Sequence, residues 1–181
     1  MPPVHADPYS PEGCVFCEIV AGRSPASVFY EDELVLGLMT IGPVTTGHAM
    51  VIPKAHAPYL AGLDEAAGRR VWTVAQRAAA ALREAGDAER PAGERADAER
   101  AGGAFRCEAV SLYLADGAAA SQEIFHVHLH VFPRYADDPF GLVADWTVRP
   151  PRAELDGVAA QIRRAYDRLW AGAPLPPEPS R

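Results

Sequence analysis

His126, His128 and His130 alternate with Val127, Leu129 and Val131, just ahead of Phe132, Pro133 and Arg134. In an extended strand, side chains alternate faces with a period of two, so this spacing places three imidazoles on one face and an apolar row on the other. The apolar row suits a core and the imidazole row suits chemistry. Three neighbouring imidazoles repel one another when protonated, so at least one is expected to be neutral near pH 7. A neutral imidazole is a nucleophile, a base or a metal ligand. The pattern alone leaves two uses open. One is a metallohydrolase with all three histidines as ligands, which zinc accepts; the other is a nucleophilic histidine supported by its neighbours.

Elements on either side must position that row. Val28-Phe29-Tyr30 and Leu34-Val35-Leu36 flank Glu31-Asp32-Glu33, which predicts a hairpin. Gly47-His48 leads into a third strand over Ala49–Pro53, and Glu108–Leu114 and Ile124–Phe132 read as two more. Asp64 is a plausible N-cap for a helix to Ala85, with Val71, Val74, Ala75, Ala78 and Leu82 at helical spacing and Gly86 as a left-handed stop. A second helix is expected from about Ala153 to Trp170, with Leu155, Val158, Ala159, Ile162, Tyr166, Leu169 and Trp170 as its apolar stripe. Residues 1–13 read as a flexible arm, 87–103 as an exposed loop and 173–181 as a disordered, proline-rich tail.

Composition narrows the function classes. The chain has 181 residues, a length that favours one domain, and its 24 acidic against 17 basic side chains leave a net charge of −7. No broad basic footprint exists for coating nucleic acid, although one phosphate can still be held locally. Three cysteines, two of them as Cys14-x-x-Cys17, argue against a disulfide framework and for a reducing cytoplasm. The first residues have neither the basic start nor the apolar run of a leader. No stretch reaches the roughly 18 uninterrupted apolar residues of a membrane span. A soluble, cytoplasmic protein without a membrane partner is expected.

Several motifs occur in one order. Cys14-x-x-Cys17 is followed by Val28–Glu33, then by Pro43-Val44-Thr45-Thr46-Gly47-His48 running on to Pro53, Lys54 and His56. Gln122-Glu123-Ile124-Phe125 then opens the histidine segment that closes on Arg134. Over residues 14 to about 141 this series resembles the histidine-triad (HIT) superfamily, in its bacterial type. The resemblance implies an α+β fold in which an antiparallel sheet carries two helices, paired as a homodimer. On that basis residues 14–148 form the domain and 149–172 a C-terminal helix packed on it. The implied chemistry is hydrolysis or transfer on a nucleotide: a phosphoramidate, a dinucleoside polyphosphate or a nucleotidyl ester. His128 is then the nucleophile that forms a nucleotidyl-histidine intermediate, with His130 and His48 orienting it. Gln122 falls near the leaving group, and Ser121 and Glu123 lie in the small-residue loop whose amides would meet phosphate.

Cys14-x-x-Cys17 alone suits a redox pair as well as a metal. With His56 and His126 added, as in bacterial-type members and the related galactose-1-phosphate uridylyltransferases, the set becomes two thiolates and two imidazoles, suited to structural zinc. Cys107 reads as a small buried residue. Three positions depart from the family. Thr40 stands where nucleotide-binding members usually carry an aspartate for the ribose, Ala115 where many have asparagine, and Ser121 where glycine is usual. The departures bear on the ligand more than on the chemistry. They motivate two alternatives: a nucleotide- or phosphate-binding regulatory module with little turnover, or a hydrolase of a non-nucleoside phosphate ester.

Overall fold

The computed structural model describes residues 9–86 and 105–173. Its element order is α1 (Val15–Val20), β1 (Val28–Glu31), β2 (Val35–Met39), β3 (Ala49–Pro53), α2 (Glu65–Ala85), β4 (Ala109–Tyr113), β5 (Leu129–Arg134) and α3 (Arg152–Trp170). The five strands form one antiparallel sheet in the order β1-β2-β3-β5-β4, so the expected α+β architecture holds. His5 and the segment 87–103 lie outside the described residues, as does the tail from 174 onward.

The sheet buries different residues on its two faces. Val35, Val51, Leu129 and Val131 pack against Val71, Val74, Ala75, Ala78 and Ala79 of α2. Leu36, Leu38, Met50 and Ile52 pack with Phe16 of α1 on the other face. Each large aliphatic side chain so buried contributes about 2 kcal/mol. The helix α2 begins as expected, with Asp64 accepting from the amides of Ala66 and Ala67. The β1–β2 turn is closed by Asp32, which accepts from the amides of Leu34 and Val35.

Three expectations need correction. Gly86 ends α2 at φ −76°, not in the left-handed region. Glycine is required there by crowding, since a Cβ would lie 2.3 Å from Cβ of Cys107. The histidine strand begins at Leu129, not Ile124, and runs through Pro133 to Arg134. Ahead of it the chain bends: His126 N–H donates to the Ile124 carbonyl and Val127 N–H to the Ala57 carbonyl. Alternation therefore governs only the stretch from Leu129 onward. The third correction is α1, absent from the sequence reading. Its signal was the spacing of Phe16, Ile19 and Val20, all of which pack on the sheet.

Arg134 is structural. Its guanidinium forks onto Asp138 at 2.6 and 2.9 Å and also donates to the Phe140 carbonyl, closing the turn after β5. That fork holds the Asp138 carboxyl down at about 2. Chain contacts divide the molecule into residues 1–140 and 141–181. In the second unit α3 exposes Leu155, Val158, Ile162, Tyr166, Leu169 and Trp170, the stripe expected from sequence, and buries none of its residues.

Candidate functional site

His130 lies in the central strand β5, and the other described histidines lie in the segments that adjoin β3 and β5. Met50 of β3 and Tyr113 of β4 are both paired with His130, so its imidazole rises from the face that α1 covers. His48 enters the same face from the residue before β3. Gly47 makes that entry possible: it sits at φ +94°, and a Cβ there would meet Pro133 and Phe105 at 3.0–3.2 Å. The neighbouring Thr45 hydroxyl is buried and donates to the Pro133 carbonyl at 2.7 Å, tying the β3 entry to β5. Nothing in the sequence reading singled out Thr45 or Phe16.

Backbone partners determine each ring's tautomer, because a carbonyl only accepts and an amide N–H only donates. Val44 N–H donates to Nδ1 of His48 at 3.1 Å, so the His48 proton sits on Nε2. That Nε2–H lies 2.9 Å from Nδ1 of His130, which must accept, and His130 therefore carries its own proton on Nε2. His128 uses Nδ1–H to donate to the carbonyl of His126 at 2.7 Å. Its Nε2 is left as a lone pair. The rings of His128 and His130 stand edge to face, 4.8 Å apart, and Phe16 lies 5.3 Å from His128.

Electrostatics favour the neutral rings. Burial pushes His48 and His130 down to about 4, and the neighbouring His128 and His48 lower His130 further. Burial likewise lowers His128, opposed by the hydrogen bond to the His126 carbonyl. A buried, neutral imidazole with a free Nε2 is a competent nucleophile at neutral pH.

The second cluster joins four residues from three places in the chain. Ligand atoms of Cys14, Cys17, His56 and His126 all lie within 4.8 Å of one another. His126 donates Nε2–H to the Pro53 carbonyl at 2.8 Å, and His56 donates Nε2–H to the Tyr9 carbonyl at 3.0 Å. Both Nδ1 atoms are thus lone pairs, and both face sulfur: His56 lies 3.3 Å from Cys17, and His126 lies 3.5 Å from Cys14 and 3.7 Å from Cys17. Two soft sulfurs and two imidazole nitrogens, without a carboxylate, fit a closed zinc site. Burial and the adjacent Cys14 push the Cys17 thiol up to about 11, so any metal ion held here would have to displace protons. His126 is thus set toward the cysteines and not into a common ligand set with His128 and His130.

The remaining candidates sit in loops. Gln122 is buried, and its amide is fully engaged by backbone: Oε1 accepts from Gly117 N–H, while Nε2 donates to the Pro58 and Ile124 carbonyls. It braces the loop that leads into the histidines. Ser121 adopts a left-handed conformation at φ 66°, and it and Glu123 are exposed. Thr40 donates its N–H to the His48 carbonyl and accepts from Gly42 N–H at its hydroxyl. Ala115 is buried, and beside it Asp116 accepts from Leu60 N–H.

Comparison with known proteins places the chain in a family. A family model described as HIT domain matches residues 21–137. An uncharacterized HIT-like protein of Borreliella burgdorferi is 38% identical over 128 residues, 71% of this chain and 80% of that protein. Adenylylsulfatase HINT3 of Arabidopsis thaliana is 31% identical over 161 residues, 89% of this chain and 71% of that one. Among solved structures, a zinc-bound histidine triad family protein from Mycobacterium smegmatis is 35% identical, with a TM-score of 0.59 over 86% of this chain and 99% of that chain. A HIT family protein from Bacillus anthracis superposes with a TM-score of 0.68 at 29% identity, covering 85% and 97%.

The depressed His48 and His130 values carry a stability consequence. Between about pH 6.5 and 4 the unfolded chain binds protons that these folded rings refuse, so acidification through that window lowers stability. Each ring contributes up to about 1.4 kcal/mol per pH unit. Urea midpoints measured from pH 7 to pH 4 are expected to fall for the wild type and less steeply for His48→Gln.

Proposed function

We propose that this chain, which belongs to the HIT family, is a nucleotidyl hydrolase or transferase working through a covalent intermediate on His128. The observation that carries the reading is the tautomer of His128: Nδ1–H is committed to the His126 carbonyl, and Nε2 is an unprotonated, buried lone pair. Nε2 attacks the α-phosphorus of a phosphoramidate, dinucleoside polyphosphate or nucleotidyl ester, and the bond to the leaving group breaks as the P–N bond forms. The imidazole becomes cationic in that adduct, which strengthens its hydrogen bond to the His126 carbonyl. Water then cleaves the P–N bond, releases the nucleotide and returns the neutral ring. His48 holds His130 with Nε2–H available as a donor, and loop amides around Ser121 and Glu123 meet phosphate oxygens. The name of the Arabidopsis relative adds adenylyl sulfate to the candidate substrates. Thr40, a hydroxyl engaged with Gly42, supports a second reading in which the ester is not a nucleoside.

Cys14, Cys17, His56 and His126 would hold zinc in a structural role, supported by the donor set and by the zinc-bound relative. Such an ion supplies a cross-link, tying the segment before α1 to the residue whose carbonyl orients the nucleophile. A reducing compartment, the cytoplasm, keeps both cysteines as the free thiols seen here. Among the described residues no helix is long and apolar enough to cross a membrane. A homodimer is supported by exposed apolar side chains within each unit: Trp72 and Leu112 in the first, and the α3 stripe in the second.

Three measurements test these readings. Incubation with an adenosine phosphoramidate, a diadenosine polyphosphate and adenylyl sulfate is expected to show turnover that His128→Ala lowers by about 10³-fold or more. Quenching in alkaline denaturant should trap one nucleotidyl group on the peptide holding His128, and equal rates for both proteins refute the nucleophile. Metal analysis is expected to find one zinc per chain, kept by a His128→Ala, His130→Ala double variant and lost from Cys14→Ser. The reverse pattern indicates a metallohydrolase. Light scattering should return twice the chain mass, reduced to one chain by Trp72→Glu combined with Ile162→Glu.

A further inference from the structure

We propose that Tyr9 is a positioning residue for the metal centre: its carbonyl clasps His56 while its ring anchors the arm that carries the carbonyl, and together they slow release of a bound ion. This rests on the zinc reading above and adds a residue outside the ligand set. His56 reaches the sulfurs with Nδ1 only because its Nε2–H is taken up by the Tyr9 carbonyl at 3.0 Å. Without that acceptor the ring is free to rotate or to exchange its proton to Nδ1, and either change removes the lone pair from the sulfurs. Groups hydrogen-bonded behind a metal ligand commonly set metal affinity over 10–100-fold.

Tyr9 is held in place by rings that belong to the ligand segments themselves. Phe125 immediately precedes His126, and its ring meets Tyr9 edge to face at 4.8 Å. Tyr59 follows His56 by three residues and lies 5.8 Å from both Tyr9 and Phe125. Each histidine ligand thus brings an aromatic neighbour, and Tyr9 completes the trio. A turn then returns the chain to the first thiol, with Cys14 N–H donating to the Pro11 carbonyl and Glu12 N–H to the Ser10 hydroxyl. Five residues therefore run from the clasp to a ligand, and the arm closes the cluster on the side that His56 presents. His126, by contrast, is fixed by Pro53 from inside the sheet and does not depend on the arm.

The test uses the full chain loaded with one equivalent of zinc and challenged with excess chromogenic chelator. Tyr9→Ala is expected to release zinc about tenfold faster than the wild type. Tyr9→Phe keeps the ring but loses the hydroxyl's hydrogen bond to Tyr59, and its release rate should fall between the wild type and Tyr9→Ala. The His56 Nε2–H proton resonance of the zinc-loaded protein should be visible in the wild type and in Tyr9→Phe and lost in Tyr9→Ala. Tyr9 is half exposed, so the fold should survive, as far-ultraviolet circular dichroism will report. Release from Tyr9→Ala at the wild-type rate overturns the clasp while leaving the zinc site intact. A wild-type chain that takes up no zinc overturns the metal reading itself.

Discussion

Carbonyl oxygens accept hydrogen bonds and cannot donate them, and five imidazoles in this protein are arranged around that asymmetry. Pro53, His126 and Tyr9 each present a carbonyl to a histidine, and Val44 presents an amide N–H to a fourth. The fifth, His130, takes its proton position from the fourth. Two chemistries follow from one rule. Where the carbonyl takes Nε2–H, as at His56 and His126, Nδ1 is presented to sulfur. Where it takes Nδ1–H, as at His128, Nε2 is left as the free lone pair. Residues two apart in the chain thereby present opposite ring nitrogens as lone pairs.

The bend before β5 makes this division possible. A regular strand from Ile124 would have aligned all three rings of the histidine row on one face, close enough to share one ion. By turning at Ile124–His126 and spending Val127 N–H on Ala57, the chain sends the His126 ring toward the cysteines and leaves its carbonyl for His128. The two sites are therefore mechanically linked through one residue. Burial acts on the same groups, since a low-dielectric environment removes the competing protonated forms of His48 and His130.

Much of the framework was legible in the sequence. The strands at β1 to β4, the helix α2 with its Asp64 cap, and the Leu129/Val131 face rest on local periodicity, which reports burial directly. The ligand set Cys14, Cys17, His56 and His126 was legible only through resemblance, and the structure brings all four together. Other features escaped. Gly86 looked like a left-handed stop, but its need for glycine comes from Cys107, which lies outside any local window. The helix α1 is six residues long, too short for its periodicity to stand out. The three backbone partners of the Gln122 amide, at Gly117, Ile124 and Pro58, were not legible either.

By itself, the sequence determined which groups are available: six histidines, three cysteines and a net charge of −7. It also determined the face that Leu129 and Val131 bury, because alternation is a property of neighbouring residues. Tertiary structure alone decided what each imidazole does. The deciding partners lie far away in the chain, 73 residues between Pro53 and His126 and 82 between His48 and His130. A tautomer is a choice between two nitrogens of equal composition, so only the group placed opposite the ring by the fold can make it.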